Sequence, residues 1–287
     1  MVNVLPHGLG WRREPPDFRD LAFESHEIQG ILRISTPYKA VSDAQSVMPA
    51  SIDLRKWCTR VRDQGTANTS TAFAVTALTE YFERRAFGRH TNYSEQFLYR
   101  STCDLLGYSL DLGADLRTTL HALQTYGMPA EHLYPYAPEQ TSAAPPTFCY
   151  GFADKFRMIR FFRLDDAKLS GKEVLVNVRK LLASRMPCVF GLSVYTSFPH
   201  AGDESDEIPP PEPGEQLIGG QSLLAVGYDD ERMIGPNQGA LLVRNSWGAD
   251  WGDKGYGWLP YKWVEHRLAV DFWSYMRPDF VNTDLFN

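Results

Sequence analysis

Cysteine is scarce in this 287-residue chain and follows no pattern. Cys58, Cys103, Cys149 and Cys188 form no CxxC or CxxxC pair, and no histidine stands at metal-ligand spacing from any of them. That excludes a recognisable zinc site, and neither a metal nor a cofactor is expected. Positive charge is not in excess either. With 29 Lys and Arg against 35 Asp and Glu, the formal net charge is −6, which speaks against a nucleic-acid or anionic-membrane surface. No apolar run approaches the roughly 20 residues needed to span a bilayer. The opening MVNVLPHGLGWRREPPDFRD lacks the apolar core of a secretory signal. The expectation is therefore a soluble, cytoplasmic chain whose four thiols are free and partly buried.

What is present is ordinary globular material, 43% hydrophobic and 22% charged. Residues 1–47 read as an irregular arm. Trp11 and Phe18, set near Pro15-Pro16, are the expected anchors on a folded body. From residue 48 to 145 the signals are mostly helical. The segment after Ser70 places Val75, Leu78 and Phe82 on one stripe, with Glu80, Glu83, Arg84 and Arg85 largely on other faces, and Gly88 ends it. A second helix is expected near Ser94 and a third through ADLRTTLHALQTYG. Pro135, Pro138, Pro145 and Pro146 mark a linker. From 146 to 287 the chain reads mainly as strand. A helix opened by the Ser170/Glu173 capping box precedes PCVFGLSVY, QSLLAVGYDD, ALLVRNSW, GYGWLPY and LAVDFWSYM. Between these, HAGDESDEIPPPEPGEQ must be a loop, because consecutive prolines cannot donate to a sheet ladder. The expected architecture is α+β, a helical half followed by a β half, with a ligand cleft between them.

Three segments carry chemistry. DQGTANTSTAFA sets a Gln-Gly turn before small polar residues that enter a helix, a layout that presents backbone N–H groups to developing negative charge. GGQSLLAVGYDD puts Gln221 where a base is expected, about 150 residues after Ser70. VRNSWGADWGDKGYGWLPY offers Asn245 to orient that base and Trp247 to shield it from water.

These motifs resemble the papain-like cysteine peptidases, especially their bacterial branch. MPASIDLRKWC, YSEQFLY, YGMPAEHLYPY and RNSWGADWGDKGYGWLPYKWV extend the resemblance over most of the chain, and GWRREPPDFRD is similar to the short N-terminal arm common in that branch. The resemblance implies a two-domain fold, with a helical left domain at 48–145, an antiparallel β-barrel-like right domain at 146–287, and a cleft between them. Residue by residue it implies an oxyanion-hole glutamine at Gln64, an orienting asparagine at Asn245 and a shielding tryptophan at Trp247. Ser70 stands at the nucleophile position in place of Cys, and Gln221 at the base position in place of His. Asn68 and Thr69 replace the usual Gly-Ser; Thr71 is within the branch's range.

The two central changes compound each other. A thiol starts near pKa 8.5 and can fall to about 3.5–7.5 beside a cation at a helix N-terminus. A serine hydroxyl needs a general base instead, and a glutamine amide takes up no proton near neutral pH. No active catalytic residue is therefore expected. Other sources of reactivity fare poorly. His200 lies in the acidic loop, a weak scaffold for geometry, and Cys58 and Cys103 fall away from the cleft centre. An engineered knock-out would explain Ser70 alone, but not Gln221, Asn68 and Thr69. The functional expectation is a pseudoprotease that binds a peptide or protein segment in its cleft. The alternatives are an assembly subunit that self-associates or works with an active partner, its cleft filled by the arm or by residues 201–215, and a residual Ser70-dependent hydrolase or acyltransferase. The acidic run Asp203, Glu204, Asp206 and Glu207 reads as a solvated loop or, less simply, a lid.

Overall fold

The computed structural model describes residues 7–42, 47–200, 203 and 205–286; Glu204 and the ends of the arm lie outside that set. The arm contains two helices where an irregular segment was expected, α1 (His26–Leu32) and α2 (Thr36–Ser42). Their signals are short. Ser25 caps α1 through its hydroxyl, Ile28 and Leu32 bury one face of it, and Pro37 sits in the first turn of α2. Of the two expected anchors, Trp11 is buried, but Phe18 is 97% exposed and anchors nothing.

β1 (Ser51–Asp53) leads to the long central helix α3 (Ser70–Phe87), which stops at Gly88 in the left-handed conformation. α4 (Glu95–Leu106) is capped by Ser94 and α5 (Leu116–Tyr126) by Asp115, each side chain accepting an N–H of the first turn. α6 (Thr147–Phe152) and β2 (Arg160–Arg163) follow. α7 (Gly171–Ala183) opens on the Ser170/Glu173 capping box with both legs formed, as its sequence specifies. Then come β3 (Cys188–Tyr195), β4 (Leu217–Ile234), β5 (Asn237–Arg244), β6 (Tyr256–Pro260), α8 (Lys262–Glu265), β7 (Ala269–Met276) and α9 (Pro278–Val281).

The strands form one antiparallel sheet in the order β2-β7-β3-β4-β5-β6, with β1 added along β4. It does not close into the barrel-like form expected, because irregular segments cover both terminal edges. Leu21 and Phe23 pair with Arg163 on β2, while Asp206 and Ile208 pair with Trp258 on β6. At Arg163 and Trp258 the edge strands thus pair with irregular segments rather than with each other.

α3 packs against β3 and β4 on one side and against α4 and α5 on the other. It is therefore buried nearly all round, and its charges do not all face water as the pattern implied. Glu80 is fully buried, accepting from Thr59 Oγ1 at 2.7 Å and from the Arg62 guanidinium. Arg85 is buried too, donating to the Phe286 carbonyl at 2.6 Å. A helix sandwiched between layers must supply internal partners for its polar side chains. This sandwich holds the first turn of α3 against β4, and that contact is the site.

Candidate functional site

Ser70 begins α3, and Gln221 lies on β4, facing Leu192 of β3 in the ladder. Both are fully buried. The Ser70 hydroxyl oxygen accepts the backbone N–H of Ser222 at 3.1 Å. Gln221 does not bond to Ser70. Its Nε2 donates to Gln64 Oε1 at 3.0 Å and Asn245 Oδ1 at 2.9 Å, with Ser246 Oγ at 3.3 Å.

The orientation of these amides is fixed by their neighbours. Gln64 Nε2 faces three carbonyl oxygens, those of Gly8 at 3.1 Å, Leu9 at 2.8 Å and Ala67 at 2.7 Å, so Gln64 must present Oε1 on its other side. Asn245 Oδ1 accepts the N–H of Ser246 at 2.8 Å. Gln221 thus meets two acceptors and can only donate to them. Its own Oε1 and the Asn245 Nδ2 are buried without a hydrogen-bond partner among the described residues. A histidine-like proton acceptor is absent from this junction, and Asn245 and Gln221 form a neutral amide pair.

The arm fills the remaining space. The Leu9 carbonyl oxygen takes the Gln64 amide at 2.8 Å and lies 3.4 Å from the Ser70 backbone nitrogen. Two donors aimed at one oxygen, one of them at a helix N-terminus, are the geometry that would steady an oxyanion. Here they hold an ordinary peptide carbonyl. On one side of it, Gly8 N donates to Gly65 O at 2.9 Å, and Trp247 Nε1 donates to Gly8 O at 3.2 Å. The His7 ring stacks on Trp247 with centroids 5.3 Å apart. On the other side, Ala114 N donates to Gly10 O at 2.8 Å, Trp11 N to Gly220 O at 2.9 Å and Arg12 N to Ala114 O at 2.9 Å. Trp247 therefore contacts the arm, and Phe198 packs on it edge-on at 5.5 Å.

Trp11 packs over β3 and β4 at Gly191 and Gly220. Its Nε1 donates to Asp271 Oδ2 at 3.0 Å, while Trp273 Nε1 donates to Asp271 Oδ1 at 2.7 Å. Arg163 reaches Asp271 at 3.1 Å and Asp165 at 2.9 Å. Burial pushes the Asp271 carboxyl up to about 6, outweighing the Arg163 charge and the two indole donors. Further along, Glu14 is raised to about 7 by burial and by its hydrogen bond with the Asp115 carboxyl, against the pull of Arg117 at 2.5 Å.

The other candidates stay apart from this centre. Among the described contacts none joins His200 to Ser70 or Gln221; its backbone N–H goes to Asp203 at 2.6 Å. All four cysteines are free and buried. Burial raises the thiols of Cys58, Cys149 and Cys188, and that of Cys103 to about 11, so none is activated. Among the described residues no cluster of His, Cys, Asp and Glu could hold a metal, and no helix is long and apolar enough to cross a membrane. A groove of about 810 Å³ runs beside the site along Arg62, Asp63, Tyr136 and Asp250, but neither Ser70, Gln64 nor Gln221 lines it.

Sequence reasoning missed Gly8, Leu9, Gly10, Asn68 and Asp271. In the sequence Asn68 reads only as a departure from a motif, yet its Oδ1 accepts Leu9 N at 3.3 Å. The signal in the arm was Gly-Leu-Gly-Trp, two glycines alternating with large apolar residues.

Residues 48–266 match the family model described as papain family cysteine protease. The chain is 29% identical to an uncharacterized peptidase C1-like protein of Acanthamoeba polyphaga mimivirus, over 95% of this chain and 88% of that protein. It is 22% identical to the thiol protease aleurain of Arabidopsis thaliana, over 87% of this chain and 67% of that protein. Among solved structures, xylellain, a cysteine protease from Xylella fastidiosa, superposes with a TM-score of 0.76 at 26% identity, covering 96% of this chain and 98% of that one. Digestive procathepsin L 3 from Tenebrio molitor larval midgut shares the fold, with a TM-score of 0.60 at 18% identity over 85% and 77% of the two chains.

Proposed function

We propose that this chain, which belongs to the papain family of cysteine proteases, holds a peptide segment in its cleft without hydrolysing it, and that the resident segment is its own arm. One observation carries the reading. The side chain at the base position, Gln221, donates its amide to Gln64 and Asn245 and has no means of accepting the Ser70 proton. A serine without a base is a poor nucleophile. What the oxyanion donors and binding alone contribute is about 10³–10⁴-fold over the uncatalysed rate, far below a working peptidase.

Hydrolysis of a broad fluorogenic peptide library tests the reading directly. Wild-type protein should match its Ser70→Ala variant at the background rate. Reproducible turnover that disappears in Ser70→Ala refutes it and favours a Ser70-dependent hydrolase.

A second reading is favoured by the arm itself. A cleft filled from within suits a subunit that serves an assembly, either of copies of itself or with an active relative. Light scattering on the purified chain addresses self-association. A monomer at all concentrations removes that branch, and a defined oligomer supports it.

A further inference from the structure

The contacts of residues 8–12 are too specific for a generic plug. A Cβ on Gly8 would stand 2.1 Å from the Ala67 carbonyl oxygen. Gly10 has φ +121°, and a Cβ there would meet the Asn68 backbone at 2.3 Å. Neither site admits any side chain, and at Gly10 the conformation itself excludes one. The cleft wall is shaped to match. Gly191 leaves room for the Trp11 ring, whose Cε2 lies 1.8 Å from where a Cβ would be. Gly220 makes room for the Trp11 carbonyl, and Gly219 for the Leu9 side chain; a Cβ at either would stand 2.5 Å from the arm atom it meets. Gly113, at φ +75°, makes room for the Gly10 carbonyl, whose oxygen a Cβ there would meet at 2.4 Å. At the floor of the Trp11 pocket the buried Asp271 carboxylate accepts the indole N–H. That hydrogen bond selects Trp over other large apolar side chains, because a ring without the donor leaves a lone pair of a buried carboxylate unmatched.

We propose that the cleft is a sequence-reading peptide site whose ligand class is an extended segment of pattern Gly-apolar-Gly-Trp, bound in the chain direction of residues 8–11. The arm is the resident copy of that ligand. Four wall glycines (113, 191, 219 and 220), Asn68 and Asp271 set the specificity. Backbone pairing with Gly65, Ala114 and Gly220 supplies sequence-independent hold, as in strand-addition sites. An external segment with this pattern competes only when the arm is unseated, because a tethered ligand acts at high effective concentration. The proposal rests on the reading that the cleft retains rather than cleaves its peptide.

The test uses the full chain carrying Gly10→Val and Trp11→Ala, which cannot seat its own arm, and a fluorescein-labelled peptide His-Gly-Leu-Gly-Trp-Arg-Arg. Anisotropy should show saturable binding to the double variant and at least tenfold weaker binding to wild type. Replacing either glycine by Ala, or Trp by Ala, should weaken binding at least tenfold. Equal binding of all these peptides, or no binding to the folded variant, overturns the proposal. Should the double variant not fold, amide exchange in Trp11→Phe gives the answer. The amides of residues 8, 9, 11 and 12 should exchange at least tenfold faster than in wild type, and unchanged rates contradict the role of Asp271. Mass spectrometry of the bound peptide separates the two claims. A bound but cleaved peptide refutes non-hydrolysis while leaving the specificity intact, and a failed peptide pattern leaves non-hydrolysis untouched.

Discussion

At the level of single residues, the site is a network of polar groups hydrogen-bonded to one another and to the arm, with Gln221 Oε1 and Asn245 Nδ2 left over among the described residues. Ser70 Oγ accepts from Ser222, Gln221 donates to Gln64 and Asn245, and Gln64 donates to the arm. Ser70→Ala should leave peptidase activity at background yet lower stability by about 1–3 kcal/mol, because the buried Ser222 N–H loses its acceptor. Denaturant melts measure that loss, and a neutral result would show that the hydroxyl has no structural part. The positions of Ser70, Gln221, Gln64, Asn245 and Trp247 were legible from motifs, because each motif is local in sequence. Their new partners were not. Nothing adjacent to Gln64 indicates that its amide would hold the Leu9 carbonyl, more than fifty positions away, and Asp271 sits inside a strand-length apolar run that reads as core.

At the level of elements, the arm's seating depends on Trp11 and on the carboxyl cluster that follows it. Trp11→Ala removes a buried indole and its hydrogen bond, a change that costs about 3–5 kcal/mol in cores. It should therefore free the amides of residues 8–12 to exchange while leaving those of α3 and β4 protected. Glu14 adds a pH dependence. Its pKa in the docked arm is raised to about 7 from the ordinary 4.5. The docked state therefore holds a proton that the released arm gives up between those values. That contribution is fully present below about pH 4.5 and is lost as pH rises through 7. The Arg117 charge, facing both Glu14 and Asp20, opposes ionisation-driven release without reversing it. Arm amides should thus exchange faster at pH 8 than at pH 5.5, beyond the intrinsic rate change, and Glu14→Gln should flatten the Glu14 part of that difference. Helix and strand positions were largely visible in the sequence, since caps such as Ser94, Ser170 and Gly88 act locally. The burial of Glu80 and the unclosed sheet with its covered edges were not, because both depend on which layers meet.

At the level of the whole molecule, one buried charge cluster ties the arm, β2 and β7 together. Arg163 lies among Asp20, Asp165 and Asp271 and under the Trp273 ring. Arg163→Met would strand two buried carboxylates, and a loss of about 3–5 kcal/mol of global stability is expected, seen as a lower denaturation midpoint with an unchanged slope. On the proposed reading the cleft is inactive on two counts, the absent base and the seated arm, and these are separable. If the arm were the only obstacle, unseating it would release an enzyme. The direct measurement is peptide hydrolysis by full-length Trp11→Ala beside Trp11→Ala/Ser70→Ala, after amide exchange has confirmed that the arm is free. Equal, background rates in both are predicted; turnover in the first that vanishes in the second would contradict the account and make the chain a latent serine hydrolase.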